Sequence, residues 1–182
     1  MAVRGVIPAP LVALAQRLDQ LPGIGPKAAG RMARKLVLQP TLAADIEAAL
    51  VAVRCQVSLC PVCRCYSVSG ECGQCSGQAE ADTELWVLAQ PEQLTDIDPA
   101  AQCFVLHGLL SPVDGIGPEQ LGLGALYQRL CDPQRQPSRL VICLDASVEG
   151  RTTGFYVQTL AQRAGVPFLQ QPESDSDVAA TD

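Results

Sequence analysis

Two hydrophobic periods divide the chain. Leu11, Leu14, Leu18 and Leu21 repeat at the spacing of a helix with one buried face, which predicts a first helix over 11–21. Pro22-Gly23-Ile24-Gly25-Pro26 then forces a tight turn. A second helix is expected from about Pro26 to Leu38, with proline at its first position, where a missing N–H costs nothing, and Pro40 as its stop. Thr41 is placed to cap a third helix to about Arg54, with Leu42, Ile46, Ala49, Leu50 and Val53 on one side. Beyond a cysteine-rich stretch, Cys55 to Gly77, with little helical or strand period, the texture changes. Short continuous apolar runs appear at 85–89, 103–106 and 140–144, with a fourth at 166–169. Segments of helical character at 121–130 and 149–164 alternate with them. That alternation predicts an α/β unit with a mostly parallel sheet. Pro172 to Asp182 carries four acids and no base, and reads as a solvated tail.

Composition narrows the class. Of 182 residues, 48% are hydrophobic and 18% charged, enough apolar surface for a core and too much for a disordered chain. No run of apolar residues is long enough to span a membrane. The apolar N-terminal run after Arg4 imitates a secretory signal, but Pro8 and Pro10 break it and the leucine repeat runs through the apparent cleavage point. A single histidine, His107, excludes most histidine-based metal and triad chemistry unless that residue serves. The net charge of −6 hides an asymmetry. Residues 1–55 hold seven Arg or Lys against three acids, a net +4, and the remainder holds six bases against sixteen acids, a net −10. A basic head on an acidic body suits a protein that meets phosphate at one end.

Two motifs carry candidate chemistry. The first is Leu21 to Ala29, the pattern of a helix-hairpin-helix. Gly23 and Gly25 permit the turn and a close approach of backbone to a ligand. The start of the following helix offers free N–H groups and a positive dipole end. Lys27 and Arg31 share a face, and Arg34 and Lys35 extend the charge along it. Such a site reads nucleic-acid backbone and not bases, so binding is expected to be sequence-independent and salt-sensitive. One hairpin touches few phosphates, which implies a homo-oligomer. A second Gly-Ile-Gly-Pro, at 115–118, is flanked by Asp114 and Glu119 and reads as a structural turn.

The second motif is Cys60-Pro-Val-Cys63 with Cys72-Gly-Gln-Cys75, two CxxC knuckles that together make a closed thiolate cage for one structural zinc ion. A disulfide pair, an iron–sulfur cluster or reactive thiols are the competing readings. The odd total of nine cysteines points to a reducing compartment, and Cys55 and Cys65 are read as bystanders. Asp145 and Glu149 end a predicted strand and open a helix. They are candidates for magnesium, set against a plain capping role with Ser147.

The order of these parts, together with Ser111-Pro-Val-Asp-Gly-Ile-Gly-Pro118 and Ser147-Val-Glu-Gly150, resembles the bacterial recombination mediators of the RecR family over roughly residues 11–168. The resemblance implies an α+β multi-module chain: a helix-hairpin-helix domain (1–54), a four-cysteine zinc finger (55–78), a Toprim-like α/β domain (79–170) and an acidic tail (171–182). It implies that Lys27 and Arg31 contact DNA, and that Cys60, Cys63, Cys72 and Cys75 bind zinc. It also implies ring-like oligomers, RecO and RecF as partners in loading recombinase at single-stranded gaps, no enzymatic activity, and a cytoplasmic, nucleoid-associated location. The chain departs from the family where Ala89-Gln90 replaces acidic residues and where Asp145-Ala-Ser147 replaces an Asp-x-Asp pair, which weighs against a magnesium-dependent nuclease or topoisomerase. It departs again at Gln170-Gln171-Pro172, where the family continues with a glycine-rich segment used in subunit contacts. A zinc-stabilised interaction module without DNA binding is the remaining alternative.

Overall fold

The computed structural model describes residues 7–70, 72–75, 83–98 and 101–172. Contacts divide the chain into two compact units, Met1–Gln56 and Val57–Asp182.

The first unit is all helical: α1 (Ala9–Leu18), α2 (Pro26–Leu38) and α3 (Pro40–Gln56). The turn between α1 and α2 needs glycine, because Gly23 sits at φ +77°, a left-handed conformation that a Cβ disfavours. Ile24 closes it by donating its N–H to the Leu21 carbonyl at 3.1 Å. Two expectations fail here. Pro40 is the first residue of α3, not only the stop of α2, so Thr41 lies inside the helix and cannot cap it. The apolar side of α3 is not packed away either. None of its residues is buried, and in the whole unit only Ala29 and Ala33 of α2 are buried among the described residues. Ile46, Leu50, Val51 and Val53 are exposed and, with Leu14 and Leu36, line an open groove of about 850 Å³.

The second unit opens with an antiparallel hairpin, β1 (Val57–Leu59) and β2 (Tyr66–Val68), that the cysteine-rich sequence did not announce. A four-stranded sheet follows: β3 (Glu84–Leu88), β4 (Gln102–Val105), β5 (Arg139–Leu144) and β6 (Phe168–Pro172) in the order β4-β3-β5-β6. Every neighbouring pair is parallel, which agrees with the continuous apolar runs that encode β3, β4 and β5, whereas β6 starts two residues later than the run at 166–169 and carries Gln170 and Gln171. Helices α4 (Leu123–Cys131) and α5 (Val148–Ala164) supply further core. Leu85, Val87, Phe104, Leu126, Leu140, Ile142 and Val157 meet in one cluster. A second cluster joins Leu88, Ile97 and Val105 to the cysteines. Gln171 and Pro172 complete β6, so the expected tail begins after them, and residues 173–182 lie outside the described residues. No single helix among the described residues is long and apolar enough to cross a membrane.

Candidate nucleic-acid interface and metal centre

The amino end of α2 follows directly from its sequence. Gly25 precedes the helix in extended conformation, Pro26 starts it, and no side chain caps it. Ala29 donates its N–H to the Gly25 carbonyl at 3.0 Å. The amides of Lys27 and Ala28, immediately before it in the same first turn, have no intrahelical partner. A Cβ built on Gly23 or Gly25 meets nothing within 4 Å, so the hairpin's outer surface is open. Lys27, Arg31, Arg34 and Lys35 are all exposed. The ion pairs found among the described residues, Arg135–Asp132 and Arg139–Glu84, involve none of them. The structure thus places the six hairpin residues singled out from sequence on one short helix and its entry turn, with free amides and uncompensated positive charge together.

The four knuckle cysteines also converge. Cys60 Sγ lies 3.5 Å from Cys75 Sγ, Cys63 3.5 Å from Cys72, and Cys72 3.6 Å from Cys75. All four sulfurs fall within 4.8 Å of one another and could hold a metal ion. A tetrahedral thiolate site with metal–sulfur bonds near 2.3 Å has edges of about 3.8 Å, so the donor set fits such a group in number, type and spacing. The first knuckle is built by the β1–β2 hairpin. Cys60 and Arg64 donate backbone N–H bonds to the Cys65 and Cys60 carbonyls, both at 2.9 Å, and the Val62 N–H points at Cys60 Sγ at 3.4 Å. Arg64 takes a left-handed φ of +60° to complete the turn.

The thiols differ electrostatically. Cys72 is lowered to about 7: burial works upward, but N–H bonds from Cys75 and Gln74 and the neighbouring thiols outweigh it. Cys63 moves the other way. The hydrogen bond with Cys103 lowers it, while Cys65 and burial raise it further, for a net rise.

Two features of this centre were not read from the sequence. Cys65, read as a bystander, is buried, and its Sγ lies 3.4 Å from that of Cys103. Arg129 is the one buried charged side chain among the described residues. It donates to the carbonyls of Val62 and Cys103 at 3.4 Å and to Gln102 Oε1, and its Nε has no partner. Burial lowers its pKa, while Cys103, Cys63 and Cys75 pull upward. Its positive charge therefore lies beside the thiols. Cys55, by contrast, is exposed.

His107 and Asp145 are held by local bonds, while Glu149 is exposed in the first turn of α5. The His107 ring is 2.6 Å from the Arg64 carbonyl through Nε2 and packs on Tyr66 at 5.1 Å. Asp145 accepts from the Ser147 N–H at 3.0 Å and from its hydroxyl, and the Ser147 hydroxyl accepts from the Gly150 N–H at 2.9 Å. That is the capping arrangement at the start of α5. At the second Gly-Ile-Gly-Pro, Gly115 takes φ +69° and Ser111 donates to Asp114 Oδ2 at 2.6 Å, a tight turn with its own carboxylate.

No protein-family model matches the chain. Curated proteins do. The chain is 34% identical over 163 residues to the recombination protein RecR of Desulfitobacterium hafniense (strain DSM 10664 / DCB-2), covering 87% of this chain and 80% of that protein. It is 37% identical over 158 residues to RecR of Acaryochloris marina, covering 83% and 77%. It is 37% identical over 151 residues to RecR of Coxiella burnetii, covering 79% and 74%.

Proposed function

The chain belongs to the RecR family of recombination proteins, and from that premise we propose that it is a non-catalytic scaffold of recombinational repair that grips DNA by its backbone. The observation that carries this reading is the uncapped start of α2, where free amides meet Lys27, Arg31, Arg34 and Lys35, all exposed and without ion-pair partners. Helix-terminal amides and exposed cations bind phosphate, and contacts to phosphate carry no sequence information. Gly23 and Gly25 leave room for a strand to approach.

One zinc ion held by Cys60, Cys63, Cys72 and Cys75 is the metal this donor set suits best. With all four positions filled by thiolates, its contribution is to folding, on the order of 10 kcal/mol for such a module, and not to chemistry. Arg129 offsets part of the centre's negative charge. The non-catalytic reading rests on Asp145, whose carboxylate is engaged in organising the start of α5. The open apolar groove along α3 supports self-association, because a helical unit with two buried residues has little core of its own. Phe155 and Tyr156, exposed on α5, offer apolar contacts for the RecO-like and RecF-like partners expected of this family in a cytoplasmic setting.

The test is fluorescence anisotropy with single-stranded, duplex and gapped DNA in several unrelated sequences, at stepped salt concentrations, alongside the native mass and metal content of the same sample. The expected result is affinity independent of sequence that falls steeply with salt. Absence of binding at low salt, or binding that follows sequence and ignores salt, refutes the proposal.

A further inference from the structure

Two buried sulfurs lie outside the four-thiolate centre. Cys65 is 5% exposed and Cys103 1%, and their sulfurs stand 3.4 Å apart although 38 positions separate them in sequence. Cys65 ends the knuckle turn, one residue before β2, and Cys103 belongs to the edge strand β4. Backbone bonds fix this approach. Cys60 donates to the Cys65 carbonyl and Val105 of β4 donates to the Cys63 carbonyl, both at 2.9 Å. Cys63 lies within 4.8 Å of both sulfurs.

Two chemistries suit three clustered thiols: a second metal ion sharing Cys63, or oxidation of the pair that Cys63 does not need. Donor count and charge decide between them. A closed zinc site takes four ligands. This one offers three thiols among the described residues, Cys63, Cys65 and Cys103. A soft monovalent ion accepts three thiolates, but two new thiolates against one positive charge deepen the buried negative charge, with Arg129 the one buried cation among the described residues. Joining the two sulfurs adds no charge and needs no further ligand.

We propose that Cys65 and Cys103 form a redox-active dithiol that closes to a disulfide under a small two-electron oxidant such as hydrogen peroxide, clasping the cysteine knuckle to the edge of the sheet. One thiol gives up its proton to the departing oxygen as its sulfur attacks peroxide, breaking the O–O bond and giving a sulfenic acid and water. The second sulfur displaces the hydroxyl as water and the S–S bond forms. Two thiols and one peroxide become one disulfide and two waters, with both electrons and both thiol protons ending on oxygen. The sulfurs close to roughly 2 Å by side-chain rotation. Low exposure favours a reagent of peroxide size, admitted by local opening, over bulky alkylating agents.

This goes beyond the DNA-binding proposal and is tested without DNA. The full metal-loaded chain is treated with hydrogen peroxide, quenched with an alkylating agent under denaturing conditions, and cut after Arg and after Glu. The fragments 65–71 and 93–119 then carry one cysteine each, Cys65 and Cys103. The expected product is these two fragments joined and lighter by two hydrogens, separated again by dithiothreitol, with metal content unchanged by oxidation. Cys65→Ala is expected to abolish the product and keep the parent's metal content. Recovery of both fragments as separate alkylated peptides overturns the proposal. So does metal loss in step with oxidation, which identifies a ligand as the oxidised group. So does a second metal ion per chain that protects both thiols.

Discussion

Replacing Lys27 and Arg31 with alanine tests the interface at its strongest point. From Lys27 to Lys35 the cationic face of α2 runs eight residue steps, about 12 Å along the axis. At 3.4 Å of axial rise per phosphate on one strand, that length passes three to four phosphates, so one phosphate per cation is a consistent count. Four such contacts give log K against log salt a slope of about −3.6 on duplex DNA for each engaged chain, and about −2.8 on single strands. Two contacts give half of that. At 0.1 M salt each lost contact costs about 8-fold in affinity, so the double variant is expected to bind about 60-fold more weakly, with its duplex slope reduced to about −1.8. Both side chains are exposed and alanine favours helix, so circular dichroism should match the parent. The assay is anisotropy against a labelled gapped duplex between 50 and about 300 mM salt, the range over which such slopes are resolved. A double variant that keeps the parent's slope shows that these cations do not neutralise phosphate, and refutes the reasoning whatever its absolute affinity.

Three further outcomes follow from the second unit. Gly150→Ala drives a Cβ into the Asp145 carbonyl, backbone that cannot easily yield, and into its side-chain Oδ1, and should cost about 1–3 kcal/mol, read as a lower Tm with an unchanged DNA salt slope. Arg129→Met strips the bonds to Val62, Cys103 and Gln102 and the charge beside the thiols; it should lose about 1–3 kcal/mol of stability and surrender metal to a chelator sooner, with Arg129→Lys intermediate. Metal loading of the reduced, metal-free chain should release fewer protons as pH rises through about 7, because Cys72, lowered to that value, is then already ionised. Cys63, held above the ordinary thiol value of 9.0, should still give up its proton at pH 9; an indicator-dye titration in weak buffer measures both.

Much of the scaffold was legible because local signals and tertiary packing agree. Proline at the first position marks α2, and continuous apolar runs mark β3, β4 and β5, which the sheet largely buries, while the exposed glutamines of β6 fall outside that pattern. Where one residue carries two meanings the reading slipped: Pro40 both ends α2 and begins α3, which removes Thr41 from the cap. The β1–β2 hairpin was hidden because Val57–Leu59 and Tyr66–Val68 are three residues each, too short for a period to show. The short 3-10 turn at Pro91–Asp96 is fixed by Gln90 and Gln93, whose side chains reciprocate in a role more often filled by serine and glutamate. The four metal-ligating candidates were legible from spacing alone. Cys65 and Cys103 were not, since a contact across 38 positions depends on how the knuckle docks and not on any local pattern. The third cysteine in Cys60-x-x-Cys63-x-Cys65 was the available hint.

The grip of the knuckle on β4 has a consequence for handling of the protein in the cell. β4 is an outer strand of the sheet, and one of its free amides, that of Val105, is occupied by the Cys63 carbonyl. Unguarded strand rims recruit one another and seed insoluble assemblies. Where the four thiols hold a metal, its removal should loosen the knuckle and bare a sticky rim, so depletion should show first as light scattering that grows with protein concentration, before the sheet itself melts.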